Sequence, residues 1–246
     1  VCECGILVIN AQQGVEVGTE KFIRLAEKKS LPLIVAVNQL DGEKADWDLV
    51  QNSINESFGK KAVYIQFPVT TGPSFDGFVD VLTMKYYHFK DENGTREDLE
   101  IPSDLMDRAE EARQELIEKA AEYDDTLMEK FFEAGSLTED EIRKGLSIGI
   151  SKGEAYPIFC VSAKKDIGVK RLFEFTRRVA PVPTNKEEGA PSIFIYKNAV
   201  EQHLGEVSYF KVMSGTITPG IDLEDPVTGG KDRLSAIYAV AGQKRE

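Results

Sequence analysis

The sequence predicts an α/β fold, in which a mostly parallel sheet is interrupted by an inserted α+β subdomain and followed by the start of an antiparallel β-barrel domain. Three observations support this prediction. Apolar, β-branched runs alternate with helical patterns over residues 1–69, as in parallel sheets covered by helices. This pattern changes between Thr70 and Tyr156 and then resumes. After residue 190, short runs alternate at period two.

The first segment, residues 1–69, supplies most of the predicted parallel sheet. Each apolar run in it leads into a segment with amphipathic helical spacing. The predicted strands cover 5–11, 32–37 and 62–69, and the predicted helices cover 15–29 and 45–58.

The second segment, residues 70–156, has the pattern of an inserted α+β subdomain. "GFVDVLTMKYYHFK" and "TREDLEI" flank Asp91-Glu92-Asn93-Gly94, which predicts a hairpin turn with Asn-Gly at its tip. A helix is predicted over 105–120 with Ser103 as its N-cap. Thr138-Glu139-Asp140-Glu141 has the form of a capping box and predicts a further helix start.

The third segment is predicted to complete the first sheet, and the fourth is predicted to form a separate antiparallel structure. In residues 157–181, the apolar run at 155–163 and a helical pattern at 168–179 predict the last strand and helix of the first sheet. Residues 182–246 begin within a Pro- and charge-rich linker at 180–191. Their period-two runs, "SIFIYKNA", "GEVSYFKVMSGTI" and "DRLSAIYAV", predict strands of an antiparallel barrel or sandwich.

Composition limits the class of protein. The formal charge of −12 argues against non-specific attraction to phosphate backbones, and we expect no DNA partner. No apolar run approaches the ~20 residues of a membrane span. The three cysteines lack metal-ligand spacing and fit a reducing compartment, so we expect a cytoplasmic protein. Because Val1 stands almost at the start of a strand, we expect the chain to be part of a longer protein.

Two predicted strands end in polar loops, Asn38-Gln39-Leu40-Asp41 and Ser162-Ala163-Lys164-Lys165. If the strands are parallel neighbours, both loops lie at the carboxyl edge of the sheet, where α/β proteins bind ligands. A loop that merely reverses the chain would also use Asn, Asp and Gly.

The chemistry of these loops suits guanine, which presents N1–H and N2–H₂ donors side by side. The Asp41 carboxylate can accept both hydrogen bonds. Asn38 can brace the loop or meet N7, and the Ala163 N–H can meet O6. Adenine would leave the carboxylate unpaired, which corresponds to discrimination of about 10⁴-fold.

The chain resembles bacterial elongation factor G, a translational GTPase. Asn-x-x-Asp and Ser-Ala-Lys are similar to the guanine-recognition loops of these proteins. Further similarity lies, in this order, at "AQQGVEVGTEK", "LPLIVAVNQLD", "FDGFVDVLTMK", "YDDTLMEKFFE", "VSAKKDIGVKRLFEF", "APVP" and "SYFKVMSGTITPG".

The resemblance implies a P-loop-GTPase-type fold that binds GTP or GDP with Mg²⁺. It implies that the complete protein moves tRNA and mRNA on the ribosome, with rRNA and the ribosomal stalk protein as partners. The nucleotide-binding residues carried over to this chain are Asn38, Gln39, Asp41, Ser162, Ala163 and Lys164.

The chain departs from this family in two respects. It has no P-loop, because Gly59-Lys60 and Gly230-Lys231 lack both the following Ser or Thr and the upstream Gly. We therefore expect neither catalytic residues nor metal ligands here, and an inactive chain. Gln39 stands where the family has Lys, and this difference removes a cationic contact worth about 0.5–2 kcal/mol.

Two alternatives remain open. The first is a ribosomal protection protein or class II release factor, although the long insert favours elongation factor G. The second is a ribosome-binding factor with weak or dispensable nucleotide hydrolysis, for which Gln39 is the support.

Overall fold

The computed structural model describes residues 1–91, 94–182, 189–202, 205–241 and 244–245. Contacts divide the chain at residue 181, so that Cys2–Pro181 forms one compact unit and Val182–Glu246 forms most of another. The α-helices are α1 (Val17–Lys28), α2 (Trp47–Phe58), α3 (Met106–Ala121), α4 (Asp125–Ala134), α5 (Glu139–Lys152) and α6 (Val169–Val179). The strands are β1 (Gly5–Asn10), β2 (Leu33–Asn38), β3 (Ala62–Tyr64), β4 (Gln66–Pro68), β5 (Gly77–Asp80), β6 (Lys85–Phe89), β7 (Arg96–Leu99), β8 (Tyr156–Cys160), β9 (Ser192–Glu201), β10 (Gly205–Ser214), β11 (Asp222–Glu224), β12 (Lys231–Arg233), β13 (Val240–Ala241) and β14 (Lys244–Arg245).

The predicted α/β class is confirmed by a four-stranded parallel sheet with the order β1-β2-β8-β3. The apolar side chains of β2 are all buried, which explains why its sequence is apolar without alternation. β8, which follows the long insert, lies between β2 and β3. The expectation that this strand completes the first sheet is therefore confirmed.

The single strand predicted at 62–69 is wrong, because the chain changes sheets at Ile65. β3 pairs with β8 in the parallel sheet, whereas β4 pairs with β5 in an antiparallel sheet of order β4-β5-β6-β7. The Ile65 N–H donates to Ile158 O at 3.2 Å, and the Ile65 carbonyl accepts from Val81 N at 2.9 Å. This buried residue thus joins the two sheets, and the run around it contains one polar residue, Gln66, which is itself buried.

A turn divides the run "GFVDVLTMKYYHFK" into β5 and β6. The Asp80 side chain accepts hydrogen bonds from the backbone N–H and the hydroxyl of Thr83, both at 3.0 Å, and this closes the turn. β6 and β7 pair antiparallel, as expected for strands on either side of a hairpin. Of the predicted tip, Glu92 and Asn93 lie outside the described residues.

One of the two predicted helix caps is correct. Thr138 and Glu141 form the capping box at the start of α5, with the Thr138 N–H donating to Glu141 Oε2 at 2.9 Å. The Ser103 cap is wrong. Ser103 lies in a turn that is closed by a hydrogen bond from Leu105 N to Pro102 O, and α3 begins after Leu105 without a side-chain cap.

The second unit, described from residue 182 onward outside the gaps, has no buried apolar side chain among its described residues. β9 and β10 pair antiparallel, as predicted. The single strand predicted at 232–240 is wrong. In this range only β12 and β13 pair with other strands, and the residues between them are not in a strand. No helix in the described part of the chain is long and apolar enough to span a membrane.

Candidate functional site

The two polar loops meet at the carboxyl edge of the parallel sheet. β2 and β8 are neighbours, and the Val161 N–H extends their pairing by donating to Val37 O at 2.9 Å. Immediately beyond them, the Ala163 N–H donates to Asn38 Oδ1 at 2.9 Å, across 125 positions of sequence. The sheet topology therefore brings together residues that the sequence separates widely.

The loop after β2 is held by its backbone and by one buried anchor. Gly42 N donates to Gln39 O at 2.9 Å, and Leu40 is fully buried between them. Gln39 has φ of +64°, a left-handed conformation that costs a non-glycine residue about 1–3 kcal/mol. Asp41 is half-buried, and its carboxylate makes no hydrogen bond or ion pair within the described residues.

The loop after β8 is closed by Ser162. Its backbone pairs with Ile167 in both directions at 3.0 Å, and its hydroxyl accepts from Lys165 N at 3.2 Å. Ser162 is fully buried, whereas Ala163 and Lys164 are exposed. In this structure the Ser162 side chain therefore shapes the loop.

A cleft of about 520 Å³ lies between these loops. Of the residues predicted for the site, Asn38, Gln39, Asp41 and Lys164 line it, whereas Ser162 and Ala163 are not part of the lining. The complete lining is Gln12, Asn38, Gln39, Asp41, Gly42, Glu43, Pro73, Lys164 and Lys165.

Gln12 also lines the cleft, although the sequence pattern does not single it out. It follows β1, whose last residue Asn10 pairs in register with Asn38 of β2. Asn10 Oδ1 accepts from Gln12 N at 2.9 Å, and the Gln12 side-chain amide lies 3.4 Å from Gln39 Oε1. Gly42 leaves room for Gln12, since a Cβ at Gly42 would come within 2.6 Å of Gln12 Nε2. A third polar loop at the same sheet edge is the signal that would have identified it.

The cleft combines acceptors with cationic groups. Asn38 Oδ1 is used by Ala163, so the Asn38 amide N–H groups remain as donors. Asp41 contributes two acceptor oxygens with no internal partner in the described part of the chain. Lys164 and Lys165 contribute positive charge. Such a site can recognise a planar, polar ligand that presents adjacent donors and a nearby acceptor.

Two comparisons relate this chain to known proteins. Residues 1–182 match the family model described as Elongation factor Tu GTP binding domain. The crystal structure of a protein from Thermus thermophilus superposes with a TM-score of 0.85 at 29% sequence identity. The match covers 99% of this chain and 36% of the Thermus protein. Because the family model spans most of the chain, this protein belongs to the family of the elongation factor Tu GTP-binding domain.

Proposed function

We propose that the cleft reads the guanine base of GTP and GDP in an elongation factor G-like translational GTPase. The observation that carries this proposal is the half-buried Asp41 carboxylate, which lines the cleft without a partner among the described residues. The Asp41 oxygens are open to the cleft, so a ligand with two adjacent donors can hydrogen-bond to both of them.

In this proposal each loop residue has a distinct task. Asp41 accepts hydrogen bonds from N1–H and N2–H₂ of guanine, and the Asn38 amide donates to N7. Asn38 Oδ1 holds Ala163, and a contact from the Ala163 N–H to O6 therefore has to share that hydrogen. Ser162 keeps its loop closed through Lys165 N, and Lys164 lies at the rim.

The base-binding half of the site fits the residues present, but the phosphate half does not. The sequence has no P-loop motif. The described residues contain no group of three or more His, Cys, Asp or Glu side chains placed to hold a metal ion. Mg²⁺ neutralises phosphate charge in GTPases, and its ligands are not assigned to this chain. We therefore expect this chain alone neither to hydrolyse GTP nor to bind it with micromolar affinity.

The wider role belongs to the complete protein. We propose GTP-driven movement of tRNA and mRNA on the ribosome in the cytoplasm, with rRNA and the stalk protein as partners. The division proposed is 1–69 and 157–181 for the GTPase domain, 70–156 for the insert, and 182–246 for the barrel.

Gln39 favours a second candidate, a ribosome-binding factor with weak hydrolysis. The reason is that a neutral amide lines the cleft at this position, where the family has a cationic lysine.

Calorimetry on the complete protein tests the base assignment directly. We expect GDP to bind about 10⁴-fold more tightly than ADP, since adenine cannot pair with the Asp41 carboxylate. Equal affinities for the two nucleotides would rule out guanine reading by this cleft. Tight GDP binding without ribosome-stimulated hydrolysis would favour the second candidate.

A further inference from the structure

The turn between β4 and β5 contacts both base-reading loops. Gly72 N donates to Leu40 O at 2.8 Å, which attaches the turn to the loop after β2. Lys165 Nζ donates to Pro73 O at 3.1 Å, which attaches the same turn to the loop after β8. Pro73 also lines the cleft. The turn thus connects the two loops to each other by a route separate from the Asn38–Ala163 hydrogen bond.

The strands on either side of this turn are fixed by a buried polar cluster. Gln66 of β4 accepts from Cys160 N of β8 at 3.0 Å and donates to Asp80 Oδ2 at 3.1 Å. Asp80 of β5 accepts hydrogen bonds from Arg171 Nε at 2.8 Å and from Arg171 Nη2 at 3.1 Å. Arg171 belongs to α6, which follows the loop after β8.

This cluster resists small displacements. Asp80 is fully buried and Arg171 is 7% exposed. Burial alone would lower the pKa of the Arg171 guanidinium, but the Asp80 carboxylate, together with smaller contributions from Tyr87 and Glu139, outweighs this effect and raises the pKa. Separating the two charges would leave each of them buried without its counterion. The antiparallel sheet is therefore attached firmly to β8 and α6.

We propose that Lys165 is a positioning residue, which sets the spacing of the two base-reading loops by tying one of them to the turn at Gly72–Ser74. The antiparallel sheet supplies the fixed support for that turn. Lys165 acts through Pro73, and the same turn reaches the other loop through Leu40. The expected effect on nucleotide binding rests on the proposed function, whereas the expected effect on the loops does not.

The test uses the complete protein with Lys165→Met, which keeps the apolar stem and removes the donor. Lys170→Met is the matched control, because Lys170 is an exposed lysine on α6 outside the cleft lining. Lys165→Arg is the conservative variant, since its guanidinium can still donate to the Pro73 carbonyl. Calorimetry gives the GDP affinity. Hydrogen exchange in the nucleotide-free protein reports on two hydrogen bonds: the Gly72 amide on the one from the turn to Leu40, and the Ala163 amide on the one between the two loops.

We expect Lys165→Met to weaken GDP binding by about 3–10-fold and to speed exchange at Gly72 and Ala163, because one partly exposed charge-assisted hydrogen bond is lost. Lys165→Arg should restore both properties, and Lys170→Met should change neither. Weaker GDP binding with unchanged exchange would make Lys165 a direct ligand and overturn the positioning role. Absence of GDP binding in the unmodified protein would overturn the proposed function, while the exchange rates would still decide the positioning role.

Discussion

Two polar clusters in the unit formed by Cys2–Pro181 differ in whether their hydrogen-bonding groups already have partners within the protein. Asp80 and Arg171 are buried and pair with each other through two hydrogen bonds. Asn38 and Asp41 lie at an open cleft, and the Asp41 carboxylate has no partner in the described part of the chain. Each cluster also makes a contact between residues distant in sequence, since Asp80 and Arg171 are 91 positions apart and Asn38 binds the Ala163 N–H, 125 positions away.

The difference separates a structural role from a binding role. The buried carboxylate of Asp80 is satisfied by Arg171, Gln66 and Thr83, so it has no capacity left for a ligand. The carboxylate of Asp41 has that capacity and is reachable from solvent. We therefore expect substitutions in the first cluster to change the free energy of unfolding, and substitutions in the second to change ligand affinity.

The largest effect should come from Arg171→Met, which leaves the buried Asp80 carboxylate without its cation. We expect a loss of about 3–5 kcal/mol in the free energy of unfolding, measured by urea denaturation. Burial raises the pKa of the Cys160 thiol, and its reaction with a thiol reagent should speed up as the packing loosens. The double variant Asp80→Leu with Arg171→Met is the control, because it removes both charges and should recover much of the loss. A change below about 1 kcal/mol in the single variant would contradict the assigned structural role.

Asp41→Asn should affect recognition rather than stability. An Asn amide keeps one acceptor for N1–H of guanine but directs a donor at the 2-amino group, so GTP binding should weaken by a few kcal/mol. Xanthine has a carbonyl at position 2, which restores two hydrogen bonds, and XTP binding should strengthen. Calorimetry with GTP and XTP on the complete protein measures both, and urea denaturation should show a change within about 0.5 kcal/mol. If GTP and XTP affinities fall equally, Asp41 does not read the base.

The sequence predicted the open cluster better than the buried one. Asn38 and Asp41 follow an apolar strand directly, and the ends of neighbouring parallel strands must meet, so local pattern was enough to place them together. The pairing of Asp80 with Arg171 spans 91 positions, and each residue alone looks like an ordinary surface charge.

Other features escaped the sequence for related reasons. Ile65 lies in a mainly apolar run that continues through the change of sheet, because both sheets bury it and the polar residue that follows it, Gln66, is buried as well. Ser103 has the residue type of a helix cap but lies in a turn before the helix begins. Gln12 is polar in a loop, and only its position two residues after Asn10, which pairs in register with Asn38, distinguishes it from other surface residues.

Gln39→Lys adds a cation to the cleft and leaves the buried Asp80–Arg171 cluster unchanged, so it should sharpen the comparison between the two clusters. We expect guanine nucleotide to bind about 0.5–2 kcal/mol more tightly, the scale of one cation–π contact with the base. The complete protein, titrated with GDP at low and high ionic strength, gives the affinity and its salt dependence. Unchanged or weaker binding would mean that the Gln12–Gln39 contact already compensates for the missing lysine.

Gln12→Ala should have the smallest effect, and it tests whether the amide contact belongs to the binding cluster at all. The contact is 3.4 Å long and exposed, so its loss should weaken GDP binding by less than about 1 kcal/mol and leave the free energy of unfolding unchanged. Gln13→Ala is the matched control, because Gln13 is an exposed neighbour on the same loop that does not line the cleft. If Gln12 acts by holding Gln39 in place, Gln12→Ala should have no further effect in the Gln39→Lys background, where the amide pair is already broken. An equal loss in both backgrounds would show instead that Gln12 contacts the nucleotide directly, and a loss larger than that of Asp41→Asn would transfer the base-reading role from Asp41 to Gln12.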